Sequence, residues 1–135
     1  MRMIWCTFSV IGFHKYKSSP KDVKYLRQEH RHKFNFKVSV EVTHENREIE
    51  FHMLRRDCII ILKTEFSRDI DTDEFDFEGC SCELIADQIM QRLLRSDLYN
   101  KDIKDNFSEF VEQHGRQIFI AVDEDGENGG SVTRY

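Results

Sequence analysis

The chain has 135 residues, of which 39% are hydrophobic, and we expect residues 1–135 to form a single domain with a sizeable core. The formal net charge of −5 argues against nucleic-acid binding through the phosphate backbone, which needs clustered Lys and Arg. No segment approaches the roughly 20 apolar residues of a membrane-spanning helix, and four scattered cysteines without a secretory signal predict reduced thiols in a cytoplasmic protein.

Two alternating stretches in the first third of the chain predict β-strands. Apolar and polar side chains alternate in residues 2–14 and 30–43, and successive side chains of a strand point to opposite faces. We expect the polar residues 15–29 to form a loop and residues 43–48 to form a turn. The even face of the second strand should face the core, because it carries the apolar residues Phe34, Phe36, Val38, Val40 and Val42.

The remainder of the chain predicts two helices followed by two strands. Residues 51–66 place apolar side chains three or four apart and predict a helix, although the run CIIIL also fits a buried strand. An acidic loop follows at 67–79, and Ser81 is the predicted N-cap of a second helix that begins at Cys82. Residues 101–113 predict a short additional helix. QIFIAV and SVTRY then predict two strands around the turn DEDGENGG, so the element order favours an α+β domain.

Three histidines share the predicted core face near the ends of the first two strands. His14 continues the even positions of the first strand, and His30 and His32 open the second. If these strands pair, three imidazoles converge at one end of the sheet. Three neutral imidazoles suit Zn²⁺ and leave a fourth position open for water or substrate. From the residues alone, three solvated histidines at strand ends are an equally good interpretation.

The chain also resembles a known enzyme family. CTFSVIGFH, a loop and HRHKFNFKVSVEV are similar to the 6-pyruvoyl-tetrahydropterin and 6-carboxytetrahydropterin synthases, in which a first-strand His is followed by His-Gly-His opening the second strand. IEFHML, CSCELIADQI, FIAVDED and GGSVTRY resemble further motifs of that family, in the same order. The resemblance therefore extends over nearly the whole chain.

This resemblance implies a fold, a metal and a ligand. The fold is the tunnelling fold, a four-stranded antiparallel sheet with two helices packed on one face in the order ββααββ. Its members form homo-oligomeric barrels, hexamers among them, with active sites at subunit interfaces. The resemblance implies Zn²⁺ on His14, His30 and His32, and it makes Glu124 the carboxylate that accepts two hydrogen bonds from a pterin ring. Without the resemblance, Glu124 would be a charged residue of a turn.

The resemblance fails at the proton-transfer residues. The family's catalytic Cys falls on Leu26 here, and Arg27 stands where some relatives have Glu. Glu29 is adjacent to the first His of the pair and should face the opposite side of the strand. The family's Asp-His pair falls on Glu65 and Phe66. General acid–base catalysis contributes about 10²–10⁴-fold and needs a side chain that can exchange a proton. Glu29 and Glu65 are the candidate catalytic residues that remain.

Three functions stay open at this point. The first is a zinc-dependent pterin synthase-like lyase acting on 7,8-dihydroneopterin triphosphate or a related pterin, with Glu29, Glu65, Tyr25 or a displaced Cys as the base. The second is a catalytically inactive zinc-containing module that binds a pterin or purine nucleotide. The third is a structural relative with an empty site, which uses only the oligomeric barrel. In the first two cases the partner is a small molecule, with neither nucleic acid nor membrane involved.

Overall fold

The computed structural model of the chain describes residues 1–69, 71–95 and 115–135. Its described elements are five strands, two α-helices and one short 3₁₀ helix. The strands are β1 (Arg2–His14), β2 (His30–Val42), β3 (Glu74–Glu78), β4 (Ile118–Glu124) and β5 (Asn128–Arg134). The helices are α1 (Phe51–Phe66), α2 (Cys82–Leu94) and the 3₁₀ helix (Lys21–Arg27).

One sheet in the order β3-β1-β2-β4-β5 forms a single layer of the fold. β1, β2, β4 and β5 are antiparallel neighbours, as the predicted α+β fold with four antiparallel strands requires. β3 adds a fifth strand, which runs parallel to β1 and pairs with it from Ile11 to His14. The fold class predicted from the sequence is confirmed, with one strand more than expected.

The fifth strand corrects the prediction of a loop at 67–79. Phe75 and Phe77 are buried, at 3% and 0% exposure, and they alternate with charged residues. A segment of five residues, three of them acidic, is too short for this alternation to be recognised in the sequence. The strand matters for the site because it covers the edge of β1 that ends in His14.

Both helices pack on the even face of the sheet, where the core lies. α2 contacts β4 and β5, and α1 contacts β1. The run CIIIL is helical, and its buried side chains Cys58, Ile61 and Leu62 face the sheet. Ser81 is the N-cap of α2, as predicted, and its hydroxyl accepts a hydrogen bond from the Leu84 N–H at 3.2 Å.

One further difference concerns the segment between β1 and β2. The predicted loop at 15–29 contains the 3₁₀ helix, which follows Pro20. The predicted helix at 101–113 lies outside the described residues. Within the described ranges, no helix is both long enough and apolar enough to span a bilayer.

Candidate metal centre

Three imidazoles converge at one end of the sheet. β1 and β2 pair so that His14 lies opposite His30, and Gly12 lies opposite His32. One ring nitrogen of each histidine lies within 4.8 Å of those of the other two. The pairing of β1 and β2 therefore brings together the three side chains that strand parity selected in the sequence. This group could hold a metal ion.

Each imidazole is oriented by a partner outside the group. His30 Nδ1 lies 2.8 Å from the backbone oxygen of Gln28, and His32 Nδ1 lies 2.5 Å from Asp125 Oδ2. His14 hydrogen-bonds to the backbone of Cys80. A ring N–H that donates to a carbonyl or carboxylate fixes the tautomer and leaves the lone pair on the other nitrogen. For His30 and His32, the nitrogen left for a metal is Nε2.

Two of the ring nitrogens that could bind a metal lack a hydrogen-bond partner among the described residues. Nε2 of His14 and of His30 are buried, and neither has a hydrogen-bond partner in the part of the chain that the structure describes. A buried polar atom in this state costs about 1–3 kcal/mol, which a coordinated metal would offset. Burial, followed by the neighbouring His30 and His32, lowers the pKa of His14 to about 4, so its ring is neutral at neutral pH. Neutral imidazoles with inward lone pairs fit Zn²⁺.

The carboxylate of Glu124 lies against the histidines. Glu124 ends β4 and pairs with Phe34 in the register with β2. Its Oε1 is 3.3 Å from His14 Nε2, and its Oε2 is 3.8 Å from His32 Nε2. The thiol of Cys82 donates a long hydrogen bond to Oε1, with a sulfur–oxygen distance of 4.0 Å. The residue expected to anchor a ring therefore also lies within reach of the metal position.

An aromatic floor lies beneath the three imidazoles. The ring of Phe34 meets His14 edge-on at 5.5 Å and His32 at 6.1 Å between centroids. Phe77 of the added strand packs on Phe34 at 4.6 Å. Gly12 makes room for both rings, since a Cβ at that position would overlap Phe77 and come within 2.8 Å of Phe34. This floor keeps water from reaching the histidines through the core.

A cavity of about 420 Å³ opens beside His14, His30 and Glu124. The 3₁₀ helix before β2 contributes Leu26, the residue that the sequence resemblance aligns with the family's catalytic Cys. The start of α2 contributes Cys80 and Cys82, two thiols that the sequence did not connect to the histidines. The sequence contained a signal for their position, because a C-x-C pair at the start of a helix places both residues at one end of the fold.

Burial keeps the two thiols protonated in the metal-free protein. Burial is the largest cause that raises the pKa of the Cys80 thiol. Burial, followed by the nearby carboxylates with Glu124 first among them, raises the pKa of the Cys82 thiol to about 12. A thiol with such a pKa keeps its proton at neutral pH and can only donate hydrogen bonds, because the nucleophilic and metal-binding form is the thiolate.

The two candidate catalytic glutamates are engaged elsewhere. Glu29 lines an adjoining cavity of about 550 Å³ that also includes His14, and its carboxylate pairs with Arg68 at 2.9 Å. Glu65 pairs with Arg92 of α2 at 3.0 Å and lines neither cavity next to the histidines. Only Glu29 is therefore near the candidate metal centre, and Arg68 neutralises its carboxylate.

Comparisons with known proteins support the fold alone. No protein-family model matches the chain, and no curated protein matches it. Among solved structures, the 6-pyruvoyl tetrahydropterin synthase from Plasmodium vivax matches 99% of this chain and 99% of its own, with a TM-score of 0.60 and 12% sequence identity. The chain therefore has the fold of 6-pyruvoyl tetrahydropterin synthase, although the two sequences share only 12% identity.

Proposed function

We propose that the chain holds Zn²⁺ on His14, His30 and His32 and acts on 7,8-dihydroneopterin triphosphate or a related pterin. The observation that carries the proposal is the pair of buried Nε2 atoms, on His14 and His30, that lack a hydrogen-bond partner among the described residues. A synthase-like fold around a cavity of about 420 Å³ supports a small-molecule ligand.

The residues around the cavity suggest how such a ligand would be held. A bound zinc ion would polarise an oxygen of the ligand side chain and acidify the adjacent protons. The Glu124 carboxylate would accept two hydrogen bonds from the N–H edge of the ring. Leu26, which lines the cavity, would exclude water from one side of the ligand.

A non-catalytic binding module is the second candidate, and Leu26 favours it. The side chain at that position can neither accept nor donate a proton, although it lines the cavity beside His14 and His30. Proton transfer would then fall to Glu29, which would have to leave Arg68, or to Cys80 or Cys82, whose thiols would first have to lose their protons. In the binding module, zinc and Glu124 would hold a pterin or a purine nucleotide without turning it over.

One experiment separates the two candidates. Zinc-loaded protein is mixed with 7,8-dihydroneopterin triphosphate, and triphosphate release and ligand binding are measured in parallel. Release that His32→Ala abolishes and His52→Ala leaves unchanged would establish the enzyme, because His52 is an exposed histidine on α1. Binding with the ligand returned intact would establish the module. Neither binding nor release would contradict both.

We also propose a homo-oligomer, which the edges of the sheet support. β5 lies at one edge, and β3 covers β1 only from Ile11 to His14, so Arg2–Val10 has no partner strand on that side among the described residues. Open edges can be closed by pairing with strands of another copy. Light scattering tests the proposal, and a mass of 16.2 kDa, that of one chain, would contradict it.

A further inference from the structure

The carboxylate of Glu124 is placed against two of the three histidines without being hydrogen-bonded to either. His14 Nε2 has no hydrogen-bond partner in the described part of the chain, although Oε1 of Glu124 is 3.3 Å away. His32 uses Nδ1 to bind Asp125, so its Nε2 presents a lone pair to Oε2 at 3.8 Å. Two electron-rich atoms that face each other in this way repel unless a cation lies between them.

The spacing is that of two ligands on one zinc ion. Zinc binds imidazole nitrogen and carboxylate oxygen at about 2.0–2.2 Å, so adjacent ligand atoms of a tetrahedral site are about 3.3–3.5 Å apart. The 3.3 Å between Glu124 Oε1 and His14 Nε2 falls in this range. A charge-assisted hydrogen bond between the same groups would be shorter, at about 2.7–2.9 Å.

We infer that Glu124 is the fourth zinc ligand of the ligand-free protein and leaves the metal when a ligand enters the cavity. The inference rests on the proposed function and deepens it, since the same carboxylate then has two successive partners. In the resting state three nitrogens and one oxygen surround the metal, and no water is bound to it. On ligand binding, a ligand oxygen replaces the carboxylate on the metal, and the carboxylate turns to the ring.

The local structure permits this movement. The side chain of Glu124 is 25% exposed and borders the cavity, so its terminal torsions can rotate. The backbone beside it is fixed, because Asp125 N–H donates to the Lys33 carbonyl at 2.7 Å and Glu127 N–H donates to the Glu124 carbonyl at 3.0 Å. The exchange therefore needs a side-chain rotation and no rearrangement of β4.

Zinc affinity and cobalt spectra of ligand-free protein test the inference. Glu124→Ala and Glu124→Gln are compared with wild type and with Glu127→Gln, an exposed glutamate in the adjacent turn. We expect Glu124→Ala to weaken zinc binding by at least about 10-fold, the lower end of the effect of losing an outer-shell partner. In the Co²⁺ form, Glu124→Ala should gain a bound water, whose ionisation changes the absorption near about pH 7. Wild type and Glu127→Gln should show no such transition.

The outcomes distinguish a failure of the inference about Glu124 from a failure of the proposed zinc site. A wild-type protein that shows the water transition and binds zinc as tightly as Glu124→Ala would overturn the inference and leave the three-histidine site intact. A folded wild-type protein that binds no zinc would overturn both. Circular dichroism of each variant establishes that it is folded, and Glu124→Gln provides a variant of matched volume if Glu124→Ala does not fold.

Discussion

At the residue scale, the candidate site depends on which nitrogen each imidazole directs inward. Asp125 accepts from His32 through one carboxylate oxygen and from the Lys33 N–H, at 2.9 Å, through the other. This arrangement fixes the position of the carboxylate, and with it the tautomer and the direction of the His32 ring. Asp125 therefore positions Nε2 of His32, one of the three ring nitrogens that could bind a metal.

Asp125→Asn should weaken zinc binding by about 10–100-fold with little change in fold. An Asn that keeps its oxygen toward Lys33 N–H turns its NH₂ group toward His32 Nδ1, which forces the ring proton onto Nε2, the nitrogen needed by the metal. Competition with a chromophoric chelator measures the affinity, and Glu127→Gln serves as the control. Equal affinities for Asp125→Asn and wild type would show that Asp125 does not position the ring.

The stability of the metal-free protein should depend on pH through His14. Its pKa is about 4 in the folded chain, compared with 6.5 for an unperturbed histidine. Between these two values the unfolded chain binds a proton that the folded chain does not, so the free energy of unfolding should fall as the pH is lowered. We expect a loss of about 1–2 kcal/mol after allowance for solvent screening.

Chemical unfolding of chelator-treated protein at pH 7 and near pH 4 measures this loss. His14→Gln removes the titrating group and should remove most of this pH dependence. An identical pH dependence in His14→Gln and wild type would contradict the assignment to His14.

At the element scale, the site is formed where β1, β2, β3 and α2 end or begin. The parity of the first two strands predicted that His14, His30 and His32 come together if the strands pair, because a strand fixes side-chain direction over its length. The structure supplies that pairing. The partners Gln28, Asp125 and Cys80 could not be predicted. They lie in connections whose path depends on tertiary packing, and Asp125 has a positive φ of 58° that the sequence does not specify.

Gly12→Ala should destabilise the protein by about 1–3 kcal/mol, because the added methyl group would overlap Phe77 and crowd Phe34 in a packed core. Thermal or urea unfolding measures the change. Thr7→Ala, at an exposed position of the same strand, is the control and should change the free energy of unfolding by less than about 0.5 kcal/mol. If Gly12→Ala is as stable as Thr7→Ala, the aromatic floor does not depend on the glycine.

At the scale of the whole molecule, two chains with little sequence identity share one fold. The order of motifs predicted the α+β sheet, and the 12% identity at a TM-score of 0.60 agrees with a divergent member of that fold. Its function cannot be taken from the fold alone, because one fold supports many activities. Leu26 in the cavity and the carboxylate of Glu124 against His14 and His32 are the features of this chain that bear on the proposed activity. The position of the Glu124 carboxylate could not be predicted from the sequence, since sequence spacing does not give the distance between β1 and β4.

The central claim is that three histidines bind one zinc ion, and calorimetric titration of metal-free protein with Zn²⁺ tests it most directly. We predict one zinc per chain for wild type, the same for His52→Ala, and an affinity reduced by at least about 10-fold for His30→Ala, since loss of an outer-shell partner alone reduces affinity by that much. A folded wild-type protein that takes up no zinc, or a His30→Ala variant that binds it as tightly as wild type, would contradict the claim.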